Sequence, residues 1–117
     1  MTISYTRNRL YLLRVSGSSM HPSYKDGELL LILKTKIYEV GDPVVASVKI
    51  RGFGGPITVL KRIASKEAVA GTGSQSARTM YRLIGDNGKA SLDSRSTAFG
   101  MVAEEDLKGK VLFRLDE

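Results

Sequence analysis

The stretch Ile57-Thr58-Val59-Leu60-Lys61-Arg62-Ile63-Ala64 predicts a β-strand, because β-branched and other apolar residues dominate it. Residues 51–56, rich in Gly and ending in Pro, precede it and supply the dihedral angles of a hairpin turn. The pattern predicts an all-β fold: a single compact domain over residues 1–117, made of coiled antiparallel sheets or a partly open barrel. Five further short apolar runs separated by turn residues support this: Leu10–Val15, Glu28–Lys34, Val44–Ile50, Met80–Ile84 and Val111–Leu115.

Three segments fall outside this strand pattern. Ala103–Lys108, followed by Gly109, predicts one short helix near the C-terminus. Ser65–Arg78 mixes Ala, Gly, Ser and Thr and predicts a mobile excursion, and residues 1–9 predict a flexible arm. The longest purely apolar stretch, Leu29–Leu33, is far below the roughly 20 residues that span a bilayer. We therefore expect a soluble, cytoplasmic protein, and contact with a membrane surface stays open.

The composition excludes several kinds of chemistry. The absence of Cys removes disulfides, thiolate catalysis and cysteine-ligated zinc, and the single His, His21, rules out a His-rich metal site. A Ser-His-Asp triad would have to use His21. The net charge of +6 is spread along the chain without a run of cations interleaved with aromatics, which favours a solvated surface. We expect no metal, no cofactor and no nucleic-acid partner.

The face on which Lys61 lies decides its chemistry. Period-two alternation places Val59, Lys61 and Ile63 on one face of the strand, and Leu60 and Arg62 on the other. If Arg62 faces solvent, Lys61 is buried beside apolar neighbours, and burial lowers the pKa of an amine. An unperturbed lysine is neutral in only roughly one molecule in 2,500 at pH 7, so such a shift supplies active base. A buried lysine can replace histidine as the general base for a serine nucleophile.

Two other segments carry candidate chemistry. Ser19 lies in Val15-Ser16-Gly17-Ser18-Ser19-Met20-His21-Pro22, and a Ser-Gly-Ser-Ser run alone is typical of a turn. Pro22 disfavours helix at His21, so we expect an extended segment after Ser19, with the Ser19 N–H available to an oxyanion. The second segment, Gly85–Arg95, is a polar loop in isolation.

Taken in order, these segments resemble the type I signal peptidase family. The family nucleophile lies in a Ser-Met-x-Pro motif, matched by residues 19–22, and the family base lies in a Lys-Arg pair on an apolar strand, matched by residues 61–62. The last family motif is matched by Gly85-Asp86-Asn87, Ser91-Leu92-Asp93-Ser94-Arg95 and Phe99-Gly100. The resemblance implies a serine endopeptidase with Ser19 as nucleophile and Lys61 as base.

The resemblance also implies roles for neighbouring residues. Ser91 would hydrogen-bond the Lys61 amine, and Asp93 with Arg95 would brace the site. The oxyanion donors would be the Ser19 backbone N–H together with Ser18 or Ser16. A precursor protein would bind as an extended strand beside the cleft, with pockets for alternate side chains. The candidate substrate contacts are Met20, Pro22, Leu60, Asp86 and Asn87.

Departures from the family pattern narrow the expected function. Gly17 stands where relatives place a serine, and Ser23-Tyr24 replaces the usual Thr-Leu. Only 23 positions separate Arg62 from Gly85, which leaves no space for an accessory domain. The chain is similar to the short nickel-type superoxide dismutase maturation proteases, which remove an N-terminal propeptide.

Three alternatives stay open. One is a general signal peptidase domain that cleaves exported preproteins. Another is a LexA-like self-cleaving domain, although only 18 residues precede Ser19 and no helix-turn-helix is visible. The third is a basic β-domain that binds nucleic acid.

Overall fold

The computed structural model of the protein describes residues 2–7, 9–50, 52, 54–71, 73, 77–87 and 100–115. The described residues form one antiparallel sheet with the strand order β1-β2-β3-β8-β4-β5-β6-β7. This architecture confirms the predicted all-β fold. The strands are β1 Thr2–Arg7, β2 Leu10–Arg14, β3 Leu29–Leu33, β4 Pro43–Val48, β5 Ile57–Val69, β6 Arg78–Ile84, β7 Val102–Ala103 and β8 Leu107–Leu115.

The expected C-terminal helix is reduced to a three-residue 3-10 turn, Glu104–Asp106. Ala103 belongs to β7, and Leu107 and Lys108 begin β8, in which Leu107 pairs with Ala46 of β4. Gly109 therefore does not end a helix. It lies within β8 at φ +147°, where a Cβ would meet Ile32 Cγ2 at 2.6 Å, so the glycine allows the neighbouring strands to approach.

Two segments expected to lack regular structure form strands. Residues 65–69 continue β5 and pair with 78–82 of β6, so the expected excursion from residue 65 is wrong over this part. The side chains of these residues are mostly exposed, which explains their small and polar composition. Their backbone groups are nevertheless paired with β6, which the composition did not reveal. Within residues 1–9, Thr2–Arg7 form β1 and pair with β2, with Ile3 opposite Leu13.

The buried side chains form two clusters on opposite faces of β4 and β5. Val44, Ala46 and Ile63 belong to the first cluster, and Val45 and Leu60 belong to the second. Consecutive residues fall in different clusters because side chains alternate across a strand. No helix within the described ranges is long and apolar enough to cross a membrane.

Candidate functional site

Ser19 lies in the loop that connects β2 to β3. The loop is closed at its base by the Val15 N–H donating to the Glu28 carbonyl at 2.9 Å and the Gly27 N–H donating to the Val15 carbonyl at 2.8 Å. Gly17 adopts φ +85°, which favours glycine, and its N–H donates to Asp26 Oδ1 at 2.7 Å. This left-handed conformation accounts for the glycine at position 17.

The segment after Ser19 is folded into turns, so the expected extended conformation is wrong. The His21 N–H donates to the Ser18 carbonyl at 3.1 Å, and the Tyr24 N–H donates to the Met20 carbonyl at 2.9 Å. These two bonds curl the chain back on itself around a cis His21–Pro22 peptide. The partly exposed Ser19 lies at the start of this curled segment.

Met20 anchors the serine loop to the protein interior. Its side chain is 1% exposed and packs in the second cluster with Leu60, which is fully buried. Of the candidate substrate contacts, these two have side chains committed to the core, so only their backbone atoms could reach a bound peptide. Pro22 is exposed and remains accessible.

Lys61 is 3% exposed and is the one charged side chain buried among the described residues. It lies on β5 opposite Val44 of β4, which is itself fully buried. Val59 and Ile63 pack in the first cluster, while Leu60 packs in the second, so the alternation deduced from the sequence is confirmed. The expected burial of Lys61 is confirmed with it.

Arg62, whose exposure to solvent was only a condition in the sequence argument, is half-buried and forms a bidentate ion pair with Asp86. Its Nε donates to Asp86 Oδ1 at 2.9 Å and its Nη2 to Asp86 Oδ2 at 2.8 Å, while Nη1 donates to the Gly41 carbonyl at 2.8 Å. The Arg62 hydrogen bonds hold the pKa of the Asp86 carboxyl below its usual value, and a bond from the Ser23 hydroxyl contributes. The Asp86 carboxylate in turn raises the pKa of Arg62.

The residues after β6 hold the serine loop. The Asn87 N–H donates to the Ser19 carbonyl at 2.8 Å, and Asn87 Nδ2 donates to the Ser18 carbonyl at 3.1 Å. The Asp86 N–H donates to Met20 Sδ at 3.4 Å. A short path of contacts therefore runs from Ser19 through Asn87 and Asp86 to Arg62, whose neighbour in the chain is Lys61.

The structure thus joins parts of all three segments singled out from the sequence. Ser16 and Ser18, the candidates for a second oxyanion donor, have exposed side chains in the same loop as Ser19. Ser91, Asp93 and Arg95 lie outside the described residues. The role of Arg62 was missed, although the Lys-Arg pair and the Gly-Asp-Asn motif contained both partners of the ion pair.

Across the described part of the chain, no group of three or more His, Asp or Glu side chains could hold a metal ion.

One edge of β5, along residues 57–60, has no partner strand among the described residues. β4 pairs with Ile57–Arg62, whereas the pairing with β6 begins only at Arg62 opposite Ile84. The backbone groups along this edge could pair with an added extended peptide.

A serine loop joined through Asn87 and Asp86 to Arg62, the residue that follows the buried Lys61, is a candidate site for a serine peptidase that uses a Ser/Lys pair. The family model described as Peptidase S24-like matches residues 2–70, a range that includes Ser19 and Lys61. The chain belongs to the Peptidase S24-like family. This membership supports a serine peptidase of the S24/LexA-like superfamily. Comparison with the curated proteins gives no match.

Proposed function

We propose that the protein is a serine endopeptidase in which Lys61 is the general base for Ser19. The observation that carries the proposal is the burial of Lys61 on a strand that Arg62, Asp86 and Asn87 tie to the serine loop. Burial disfavours the charged ammonium, so the neutral amine is available to take the Ser19 proton.

The chemistry would follow the usual sequence of acyl transfer. Ser19 Oγ attacks the scissile carbonyl while the Lys61 amine accepts its proton, and the resulting ammonium returns a proton to the leaving amine. The Ser19 backbone N–H is one donor to the oxyanion, and Ser18 or Ser16 supplies the second. Water then hydrolyses the acyl-enzyme and releases the new C-terminus.

The substrate would bind as an extended strand on the open edge of β5. Residues 57–60 lead directly to Lys61, so a peptide paired with them runs past the site. Such pairing recognises backbone groups and selects sequence through pockets for alternate side chains.

Cleavage of a separate protein is favoured over self-cleavage. Of the residues before Ser19, Thr2–Arg7 and Leu10–Arg14 are paired with each other as β1 and β2. An intramolecular cut within residues 2–14 would require this hairpin to open. We therefore propose removal of an N-terminal signal or propeptide from a precursor, and the resemblance in the sequence makes a nickel superoxide dismutase precursor the first substrate to test.

The test is incubation with that precursor and with an exported preprotein, followed by mass spectrometry of the new N-termini. Ser19→Ala and Lys61→Met should each lower the cleavage rate by about a thousandfold or more. Lys61→Arg should be equally inactive, because guanidinium stays protonated. Lys66→Met, which alters a lysine of the same strand that is 38% exposed, is the matched control and should keep its activity. Full activity of Lys61→Met would contradict the proposal.

A further inference from the structure

Ser23 and Tyr24 stand four and five residues after the proposed nucleophile, and contacts converge on them from two distant parts of the chain. The Tyr24 N–H is bonded to the Met20 carbonyl, so both residues belong to the curled segment that begins at Ser19.

Arg114, near the end of β8, makes the first set of contacts. Its Nη2 donates to the Ser23 carbonyl at 2.6 Å, and its Nε lies 2.7 Å from Glu28 Oε2. The guanidinium carbon lies 5.6 Å from the centre of the Tyr24 ring, within the range of a cation–π interaction. One side chain thus holds the curled segment and the start of β3 against β8.

The Arg62–Asp86 pair makes the second set of contacts. The Ser23 side chain also interacts electrostatically with the Asp86 carboxylate, and the Arg62 guanidinium interacts with the Tyr24 hydroxyl. Tyr24 therefore lies between two guanidinium groups, one from β5 and one from β8. Because Arg62 follows Lys61 directly, these contacts fix the serine loop relative to the strand that carries the base.

We propose that Ser23, Tyr24 and Arg114 are positioning residues that hold Ser19 against Lys61. This inference rests on the proposed function, since it assigns these residues a role through the Ser19–Lys61 pair. Proton transfer requires donor and acceptor within hydrogen-bond reach, so a loop free to shift by about 1 Å loses rate. Asn87 holds the segment at Ser19 itself, and the proposed residues hold its other end.

The experiment uses Ser19→Cys, which places a single thiol at the nucleophile position because the chain has no other cysteine. The pH dependence of its alkylation by iodoacetamide reports the pKa of that thiol, which a nearby lysine amine lowers. Adding Arg114→Gln or Ser23→Ala should raise this thiol pKa and slow alkylation at pH 7 by about threefold or more. Ser23→Thr, which keeps the hydroxyl, should restore the original profile.

Arg78→Gln is the matched control, because Arg78 is similarly exposed (50% against 46% for Arg114) and is ion-paired with Glu105 away from the serine loop. It should leave the thiol pKa unchanged. Melting temperatures of all variants show that each is folded at the assay temperature. If Lys61→Met shifts the thiol pKa but Arg114→Gln and Ser23→Ala do not, the positioning role is wrong and the proposed function stands. If Lys61→Met has no effect either, the proposed function is overturned as well.

Discussion

The ion pair between Arg62 and Asp86 should stabilise the fold as well as the site. Asp86→Asn keeps the side-chain shape and removes the charge that accepts two hydrogen bonds from Arg62. Hydrogen bonds to charged groups contribute about 1.5–3 kcal/mol, and the Arg62 side chain is 31% exposed, so solvent screens part of the interaction. We expect Asp86→Asn to lower the free energy of unfolding by about 2 kcal/mol, or the melting temperature by about 8 °C.

The pH dependence of this difference identifies its source. The pKa of Asp86 is lowered from 3.8 in the folded protein, chiefly by the hydrogen bonds of Arg62. A lowered folded pKa gives stability that is complete above the unfolded value and is lost as the pH falls through the folded one. The difference between wild type and Asp86→Asn should therefore be constant near neutral pH and shrink from about pH 4 downward.

Urea denaturation of both proteins, at pH 7 and at about pH 2.5, measures the difference directly. Glu105→Gln is the control, because it breaks the Arg78 ion pair, in which both side chains are at least half exposed. An exposed pair contributes about 0–1 kcal/mol, so this variant should change little. The reasoning is refuted if Asp86→Asn unfolds within about 0.5 kcal/mol of wild type at pH 7, or if its deficit is as large in acid.

Three further substitutions test the surrounding structure. Gly109→Ala should lower the free energy of unfolding, measured by urea denaturation, by about 2 kcal/mol or more. The added Cβ would meet Ile32 Cγ2 at 2.6 Å and the Leu33 carbonyl oxygen at 2.8 Å, so wild-type stability would contradict this close approach. Tyr38→Phe should raise the free energy of unfolding by about 1 kcal/mol, because the buried Tyr38 hydroxyl has no hydrogen-bond partner among the described residues. Burial raises the pKa of Tyr38 to about 12 from 10.0, so wild-type stability should fall between these pH values, and less so in Tyr38→Phe. Gly17→Ser should lower the free energy of unfolding by about 1 kcal/mol and should not raise the cleavage rate, because φ at this position is +85°. A faster enzyme would contradict this expectation and show that the loop accepts the serine as an added oxyanion donor.

The strands of the core could be predicted because each is a short apolar run bounded by turn residues. The same periodicity gave the burial of Lys61, since Val59 and Ile63 flank it at a spacing of two. Strand β1 was missed, although Ile3 and Tyr5 alternate with polar residues and carried the signal. The length of β8 was missed because Gly109 and its neighbouring lysines interrupt the apolar pattern. The length of β8 is set by its pairing with β3 and β4.

The site could be predicted only where a motif lies within a few residues of chain. Ser19 and Lys61 each stand in such a motif, whereas the partner of Arg62 lies 24 residues away and is set by the pairing of β5 with β6. The contact between Arg114 and Ser23 joins residues 91 positions apart. Such contacts depend on the order of strands in the sheet, which local sequence does not encode.

The claim that Ser19 and Lys61 act as a pair can be tested without knowing the substrate. In Ser19→Cys, the thiol should titrate below the ordinary cysteine value of about 8.5, because the proposed pairing places the Lys61 amine beside it. Adding Lys61→Met should return the thiol pKa to about 8.5 or above, since only the amine has been removed from a buried position. Adding Lys66→Met instead should leave the lowered value in place. Identical pH profiles of alkylation with and without Lys61 would contradict the pairing of Ser19 with Lys61.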